Sequence, residues 1–334
     1  MRKFIFITVL FLGAALIYLS LSEIESILET LQRGNLWFIL LAILFQLASF
    51  FVAGLNYQTL YKLLGIRESV RRLALLYASA NFVNTVAPSA GVGGMAVFIS
   101  AATRDGHSPG KVTVAGMLCL FLDYVAFLFV LTLGLIVLFR RNDLDPTEIA
   151  ASAVIFIIAL ALGFLLYLGS QSGPALGNAL AWMARLVNGL LHPFIHRDYL
   201  SEERAHTFAN EMADDLRSLP QRRHNLLLPF AYSLAGKGLL ISVLLSVFLA
   251  FKIPFSAGTI IGGFAISYLF LIVSPTPSGI GIVEGIMPLA LSSLRVPWSQ
   301  AVIITLAYRG ITFWIPLGLG AAALRILDHE GNDG

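Results

Sequence analysis

Residues 273–284 read V-S-P-T-P-S-G-I-G-I-V-E, and residues 84–94 read N-T-V-A-P-S-A-G-V-G-G. Both strings interrupt apolar stretches. Proline ends an incoming helix because its ring removes a backbone donor, and glycine permits the sharp reversal that follows. We therefore expect two helical hairpins whose returning half-helices begin near Gly91 and Gly281. The predicted tip residues are Pro88, Ser89, Gly91, Gly93 and Gly94 in the first hairpin and Pro277, Ser278, Gly279 and Gly281 in the second.

The composition around these strings is that of a membrane protein. The chain has 334 residues, of which 57% are hydrophobic and 12% are charged, and its mean hydropathy is +0.83. A soluble domain carries about 25% charged residues, so a cytosolic enzyme, a disordered chain and a disulfide scaffold are excluded. The single cysteine, Cys119, forms no disulfide within the chain, and a net charge of +3 does not indicate nucleic-acid binding.

Apolar stretches of membrane-spanning length predict the fold class. A spanning helix needs about 20 mostly apolar residues, and the chain supplies enough of them for an all-α polytopic membrane protein with about six transmembrane helices and two re-entrant hairpins. The predicted segments are an anchor helix at 4–21, a first repeat at 36–139 with its hairpin at 73–104, a linking helix at 149–170, cytoplasmic amphipathic helices at 171–225, and a second repeat at 226–325 with its hairpin at 254–294.

The two hairpins lie in matching surroundings. Ser108-Pro109 follows the first proline string at the spacing at which Val296-Pro297 follows the second. Because one linking helix separates the repeats, the second repeat is predicted to be inverted relative to the first. Inverted repeats with interrupted helices are a transporter architecture. The cluster Lys62, Arg67, Arg71 and Arg72 favours a cytoplasmic position for its loop, which predicts cytoplasmic N- and C-termini.

Four charged residues fall inside the predicted spans. Each costs about 2.5–3.5 kcal/mol at the centre of a spanning helix, so each is expected to face a partner or an aqueous cavity. One interpretation is an Asp123–Arg309 ion pair that holds the two repeats together. The other is that Arg309 and Lys237 bind an anionic lipid headgroup, with Asp123 orienting Arg309. Glu284 either complements the helix dipole or meets a cationic part of the substrate.

No pattern in the chain predicts catalysis or a bound metal. His192 and His196 have a spacing compatible with a metal site, but Pro193 lies between them and no third ligand is evident. Phosphate-loop and Ser/His/Asp motifs are absent from the sequence. We therefore expect no enzymatic activity and no cofactor.

The tip strings, together with Tyr308-Arg309-Gly310 in the final span, resemble the flippase-like transmembrane region of the lysylphosphatidylglycerol synthase family. That family includes stand-alone proteins of about this length. The resemblance implies a multi-pass protein of the cell inner membrane, with two re-entrant hairpins, that translocates or holds a phospholipid between leaflets. In two-domain relatives an aminoacyl transferase follows this region; the sequence ends at Gly334, so the synthase reaction is not expected.

The leading hypothesis is a flippase-like transporter of an anionic or aminoacylated phospholipid, or of a polyprenyl-phosphate lipid. Arg309, Lys237, Asp123 and Glu284 are its candidate headgroup-binding residues. One alternative is a proton- or ion-coupled transporter of a small solute. Another is a non-transporting protein that binds a lipid, or a lipid-modifying enzyme, through the segment 171–225.

Overall fold

The computed structural model describes eleven α-helices within residues 27, 29–86, 92–141, 146–195, 206–207, 209–210, 213, 225–274 and 276–332. No β-strand occurs in these ranges. The helices are α1 (Leu36–Leu63), α2 (Val70–Val86), α3 (Val92–Arg104), α4 (Pro109–Arg141), α5 (Pro146–Gln171), α6 (Gly173–Ile195), α7 (Leu227–Ala250), α8 (Ala257–Val273), α9 (Ile282–Ser293), α10 (Trp298–Arg309) and α11 (Ile315–Asn332).

Five helical segments of the described ranges are long and apolar enough to cross a membrane: α1, α4, α5, α7, and α10 continued through α11. They confirm the predicted all-α polytopic membrane protein. The sixth predicted span, the anchor at 4–21, lies outside the described residues.

Two parts of the chain have the same order of elements. In the first unit, α1 to α4, a long helix is followed by helices of 17 and 13 residues and then by another long helix. In the second unit, α7 to α11, the two short helices have 17 and 12 residues. The members of each short pair, α2 with α3 and α8 with α9, pack against each other. At about 1.5 Å per residue, each is shorter than the roughly 30 Å of a bilayer core.

The turns that flank the short helices also match between the units. Gly65 and Lys252 both have positive φ and precede α2 and α8, respectively, by five residues. Gly106 and Arg295 both have positive φ and precede α4 and α10 by three residues. After each of these residues, the next N–H donates to the carbonyl five positions earlier, as in a Schellman motif. A left-handed backbone at Lys252 and Arg295 is uncommon for residues with a side chain.

The buried apolar residues of the described ranges form three clusters. One joins α1, α2, α3 and α4, a second joins α7 to α10 with parts of α1 and α4, and a third packs α4 and α5 against α8 and α9. The two units meet along α1 and α7, which run antiparallel: Asn35 at the start of α1 bonds to Ala250 at the end of α7. They also meet where α11 packs on α2.

The polar segment predicted at 171–225 begins as a helix. Leu176, which is buried, and Leu180 lie one turn apart on α6. Most of the predicted amphipathic segment after residue 195 lies outside the described residues. The cytoplasmic position of this segment stays a prediction.

Candidate functional site

A cavity of about 440 Å³ lies between the two units. Its walls come from α1, α2, α3 and α4 of the first unit and from α7, α8, α10 and the turns beside them in the second. Both short-helix pairs reach it, through Gly94 at the start of α3 and Ser278 before α9. Three of the four charged residues predicted inside the spans, Asp123, Lys237 and Arg309, line it directly.

Lys237 is held at the centre of α7 by groups from two other helices. Its Nζ donates to Asp123 Oδ2 of α4 at 2.7 Å and to Tyr268 Oη of α8 at 2.6 Å. The Lys237 ammonium also lies 4.3 Å from the centre of the Tyr268 ring, within cation–π range. The Lys237 residue is only 3% exposed, so the cost of burying its charge must be offset by these partners.

Arg309 is the last residue of α10, and it is as buried as Lys237. Its Nε donates to Glu284 Oε1, and its Nη2 donates to the Ser278 carbonyl oxygen at 3.1 Å. The guanidinium lies 4.9 Å from the Phe313 ring centre. A single π-helical turn, Gly310–Trp314, follows at once; such turns widen a helix locally and are frequent at functional sites.

The predicted Asp123–Arg309 pair is wrong. The structure pairs Asp123 with Lys237 and Arg309 with Glu284. Glu284 lies in the first turn of α9, which packs on α10, so the carboxylate in contact with Arg309 comes from its own unit. Asp123 therefore orients Lys237, not Arg309. Glu284 is not in the cavity wall: it supports Arg309 from behind.

The backbone donors at the hairpin tips are largely taken. The Gly281 N–H, at the N-cap of α9, donates to Glu284 Oε2 at 2.8 Å. In the first hairpin the Gly94 N–H donates to Asn84 Oδ1 at 2.7 Å. In this structure both N–H groups are therefore bonded to side chains of their own hairpins. Gly94 is required because a Cβ there would lie 2.5 Å from the Asn84 side chain.

The returning half-helix of the second hairpin begins at Ile282, one residue after Gly281, whereas α3 is described only from Val92 onward. Pro277 does not end its incoming half-helix, since α8 already ends at Val273 and Pro277 starts a 3₁₀ turn that includes Gly279. Gly279 has φ +70°, and a Cβ on it would lie 2.6 Å from Val283 Cγ2. Gly93 lies in the first turn of α3. Three predicted tip residues, Pro88, Ser89 and Gly91, fall outside the described ranges.

The two short-helix pairs contact each other through hydroxyl groups. Thr85 Oγ1, near the end of α2, and Ser278 Oγ lie 2.8 Å apart. Since Ser278 also accepts from Arg309 through its carbonyl oxygen, the contact connects the first hairpin to the buried guanidinium. It closes one side of the cavity between the units.

Several polar residues of the site were missed in the sequence. Tyr268 binds Lys237, and Asn56 donates to Ser233 Oγ at 3.0 Å across α1 and α7. The signal was present, because Gln46, Asn56, Asn81 and Asn84 are amides inside otherwise apolar helices. A criterion based on charge does not detect these amides, because they are neutral.

No group of three or more metal-ligating side chains occurs among the residues whose structure is described. Of the two histidines with metal-compatible spacing, His192 lies on α6 and His196 lies outside these residues.

Comparison with known proteins places this site in a family. The model of a family described as the lysylphosphatidylglycerol synthase TM region matches residues 5–320. A UPF0104 membrane protein of Pyrococcus horikoshii is 26% identical over 96% of both chains. A UPF0104 membrane protein of Methanocaldococcus jannaschii is 23% identical over 97% of this chain and 94% of its own. A third, of Methanothermobacter thermautotrophicus, is 24% identical over 96% of this chain and 93% of its own.

Proposed function

Because the chain belongs to the family of the lysylphosphatidylglycerol synthase transmembrane region, we propose that it is a flippase-like lipid transporter. It moves or holds an anionic or aminoacylated phospholipid, or a polyprenyl-phosphate lipid, between the leaflets of the cell inner membrane. It does so without enzymatic chemistry.

One observation carries this proposal: two buried cations, Lys237 and Arg309, line one cavity enclosed by helices of membrane-spanning length. Buried ionisable residues in a membrane protein mark substrate pathways. The cavity is large enough for a headgroup, while lipid tails would stay in the bilayer outside it. Arg309 offers a planar fork that suits phosphate oxygens, and Lys237 offers a point charge.

The matched element order and matched turns support an inverted repeat. In this proposal α2–α3 and α8–α9 are re-entrant hairpins that enter from opposite sides, with both termini of the chain cytoplasmic. Irregular backbone is tolerated at membrane depth only where protein or water surrounds it, and the Ser278–Gly279 turn lies beside the cavity as that rule requires.

The proposed mechanism is an exchange of partners. A phosphate that enters between the units competes with Asp123 for Lys237 and with Glu284 for Arg309. Each cation therefore keeps an anionic partner throughout. Separation of Thr85 from Ser278 opens the side between the hairpins. The cost of removing the headgroup from water is offset by these charge-assisted hydrogen bonds.

Arg309→Ala tests the proposal in vesicles of phosphatidylcholine that contain a trace of acyl-labelled fluorescent phosphatidylglycerol. Transfer is followed as the fraction of label that an external reductant can reach. We expect Arg309→Ala to abolish transfer, while Arg325→Ala, which removes an exposed arginine of α11, leaves the rate unchanged. Equal rates in the two variants would remove Arg309 from the mechanism.

A coupled transporter of a small solute is the second candidate. The observation that favours it is the Asp123 side chain, which is 35% exposed while its partner Lys237 is nearly sealed. A carboxylate in contact with an aqueous cavity can take up a proton. Solute uptake that depends on an imposed proton gradient, with no lipid transfer in the same vesicles, would support this function over the first.

A further inference from the structure

The cavity has a second polar layer beside its charges. Asn56 of α1 donates through Nδ2 to Ser233 Oγ of α7, and to Cys119 Sγ of α4 at 3.7 Å. Ser233 and Cys119 each lie four residues before a charged residue of the same helix, Lys237 and Asp123 respectively. Residues four apart share one helix face. The neutral layer therefore lies about 6 Å from the Lys237–Asp123 pair, at 1.5 Å per residue.

One atom of this layer has no partner. Asn56 Oδ1 is buried and accepts no hydrogen bond within the part of the chain that the structure describes. Asn56 is 4% exposed and belongs to the cavity wall. A buried amide oxygen without a donor costs free energy, so the site is incomplete without a group that donates to it.

The charge around Asn56 decides which donor fits. The carboxylates nearest the cavity, Asp123 and Glu284, are already paired with Lys237 and Arg309, so an ammonium group near Asn56 would lose its hydration without gaining an unpaired anion. A hydroxyl group donates without that cost. Two aromatic side chains near Asn56, the stacked Tyr57 and Phe98 (ring centres 4.5 Å apart), also line the cavity and present no charge.

We propose that the Asn56–Ser233 layer is a hydroxyl subsite, which selects a phospholipid whose headgroup carries a polyol beyond its phosphate. The proposal rests on the transport function proposed above and narrows its substrate class. The phosphate binds at Lys237 and Arg309, and a headgroup hydroxyl donates to Asn56 Oδ1 one helical turn away. Among the lipids considered above, hydroxyl-bearing anionic headgroups are preferred over aminoacylated ones.

Two fluorescent lipids of equal charge provide the test. Acyl-labelled phosphatidylglycerol and phosphatidylpropanol differ only in the two hydroxyls of the headgroup. In phosphatidylcholine vesicles with the full-length protein, we expect phosphatidylglycerol to move about tenfold faster, the discrimination that one buried hydrogen bond provides. In Asn56→Leu the ratio of the two rates is expected to fall to about one.

Ser79→Ala is the matched control. Ser79 Oγ is also buried and has no hydrogen-bond partner among the described residues, but Ser79 lies outside the cavity wall. We expect Ser79→Ala to leave the ratio of the phosphatidylglycerol rate to the phosphatidylpropanol rate unchanged. If Asn56→Leu does not fold, Ser233→Ala, which removes the hydroxyl that positions the Asn56 amide, is expected to lower the ratio several-fold.

The outcomes separate this inference from the transport proposal. Equal transfer of both lipids by the wild type, or faster transfer of labelled lysyl-phosphatidylglycerol than of phosphatidylglycerol, would overturn the hydroxyl subsite and leave transport standing. If neither lipid is transferred, the purified protein is incubated in detergent with an equal mixture of the two lipids. Mass spectrometry then measures how much of each lipid the protein retains. Preferential retention of phosphatidylglycerol, lost in Asn56→Leu, would uphold the subsite and refute transport; equal retention would refute the subsite too.

Discussion

Lys237 and Asp123 join the two units of the chain through one ion pair, with Nζ and Oδ2 2.7 Å apart. The partners are unequally buried: the Lys237 side chain is 4% exposed, whereas that of Asp123 is 35% exposed. Removal of Asp123 and removal of Lys237 should therefore differ in their cost to stability. A sealed ammonium without its carboxylate is costly, while a carboxylate at the cavity can be hydrated.

This asymmetry predicts unequal effects on stability. We expect Asp123→Ala to lower the free energy of unfolding by about 3 kcal/mol, because it leaves a buried charge without its carboxylate. Lys237→Met is expected to cost less than about 1 kcal/mol, because methionine fills a similar volume. The double variant should be more stable than Asp123→Ala alone. Thermal unfolding in detergent measures this, and additive losses in the double variant would contradict it.

The contacts of Arg309 predict that lipid transfer depends on the planar shape of its guanidinium as well as on its positive charge. Its guanidinium bonds to Glu284 and to the Ser278 carbonyl oxygen at once. Lysine keeps the charge but lacks the planar fork. We expect Arg309→Lys to reduce lipid transfer about tenfold, the effect of about 1.4 kcal/mol, through loss of the second hydrogen bond. The variant should still retain anionic lipid in detergent, whereas Arg309→Ala should not. Wild-type transfer by Arg309→Lys would show that charge alone suffices.

The Thr85–Ser278 contact predicts that a crosslink stops transport. Their hydroxyl oxygens are 2.8 Å apart, so the sulfurs of cysteines at both positions would lie near each other, and we expect them to form a disulfide on oxidation. In a Cys119→Ser background, which removes the native thiol, oxidation of the pair should block lipid transfer and reduction should restore it. Each single-cysteine protein, treated with the same oxidant, is the control. Continued transfer in the oxidised pair would mean that the hairpins need not separate.

Much of the fold was predictable because bilayer thickness fixes the length of a spanning helix. Apolar runs of that length gave α1, α4, α5 and α7, and the second proline–glycine string indicated where its returning half-helix begins. The turns at Lys252 and Arg295 were not predictable. A left-handed backbone usually indicates glycine in a sequence, whereas here it occurs at two residues with long charged side chains.

The charged residues of the site were predictable from the sequence, but the ion pairs that they form were not. Charges inside apolar spans identified Asp123, Lys237, Glu284 and Arg309. Which carboxylate meets which cation depends on how the helices are rotated and packed, and the similar distances of Asp123 and Arg309 from their proline strings led to the wrong pair. Asn56 was missed because a neutral amide alters composition and charge patterns very little, although burial makes its unpaired oxygen costly.

Alanine substitutions of two glycines in α11 test how much the packing of α11 on α2 contributes to holding the two units together. A Cβ on Gly320 would lie 2.5 Å from the Ala78 carbonyl oxygen and 2.6 Å from Phe82 Cβ on α2. A backbone oxygen cannot give way, so Gly320→Ala must push α11 from α2, at an expected cost of about 1–3 kcal/mol. A Cβ on exposed Gly318 meets nothing within 4 Å.

Gly318→Ala is therefore the matched control for Gly320→Ala. Alanine restricts the unfolded chain more than glycine does, so the control should unfold at the same temperature as wild type or higher. Because α2 also carries Thr85 at the hairpin contact, displacement of α11 from α2 should loosen that contact. We accordingly expect Gly320→Ala to lower both the unfolding temperature and the yield of the Thr85–Ser278 crosslink. Equal unfolding temperatures for the two variants would show that the α2–α11 contact contributes little to holding the units together.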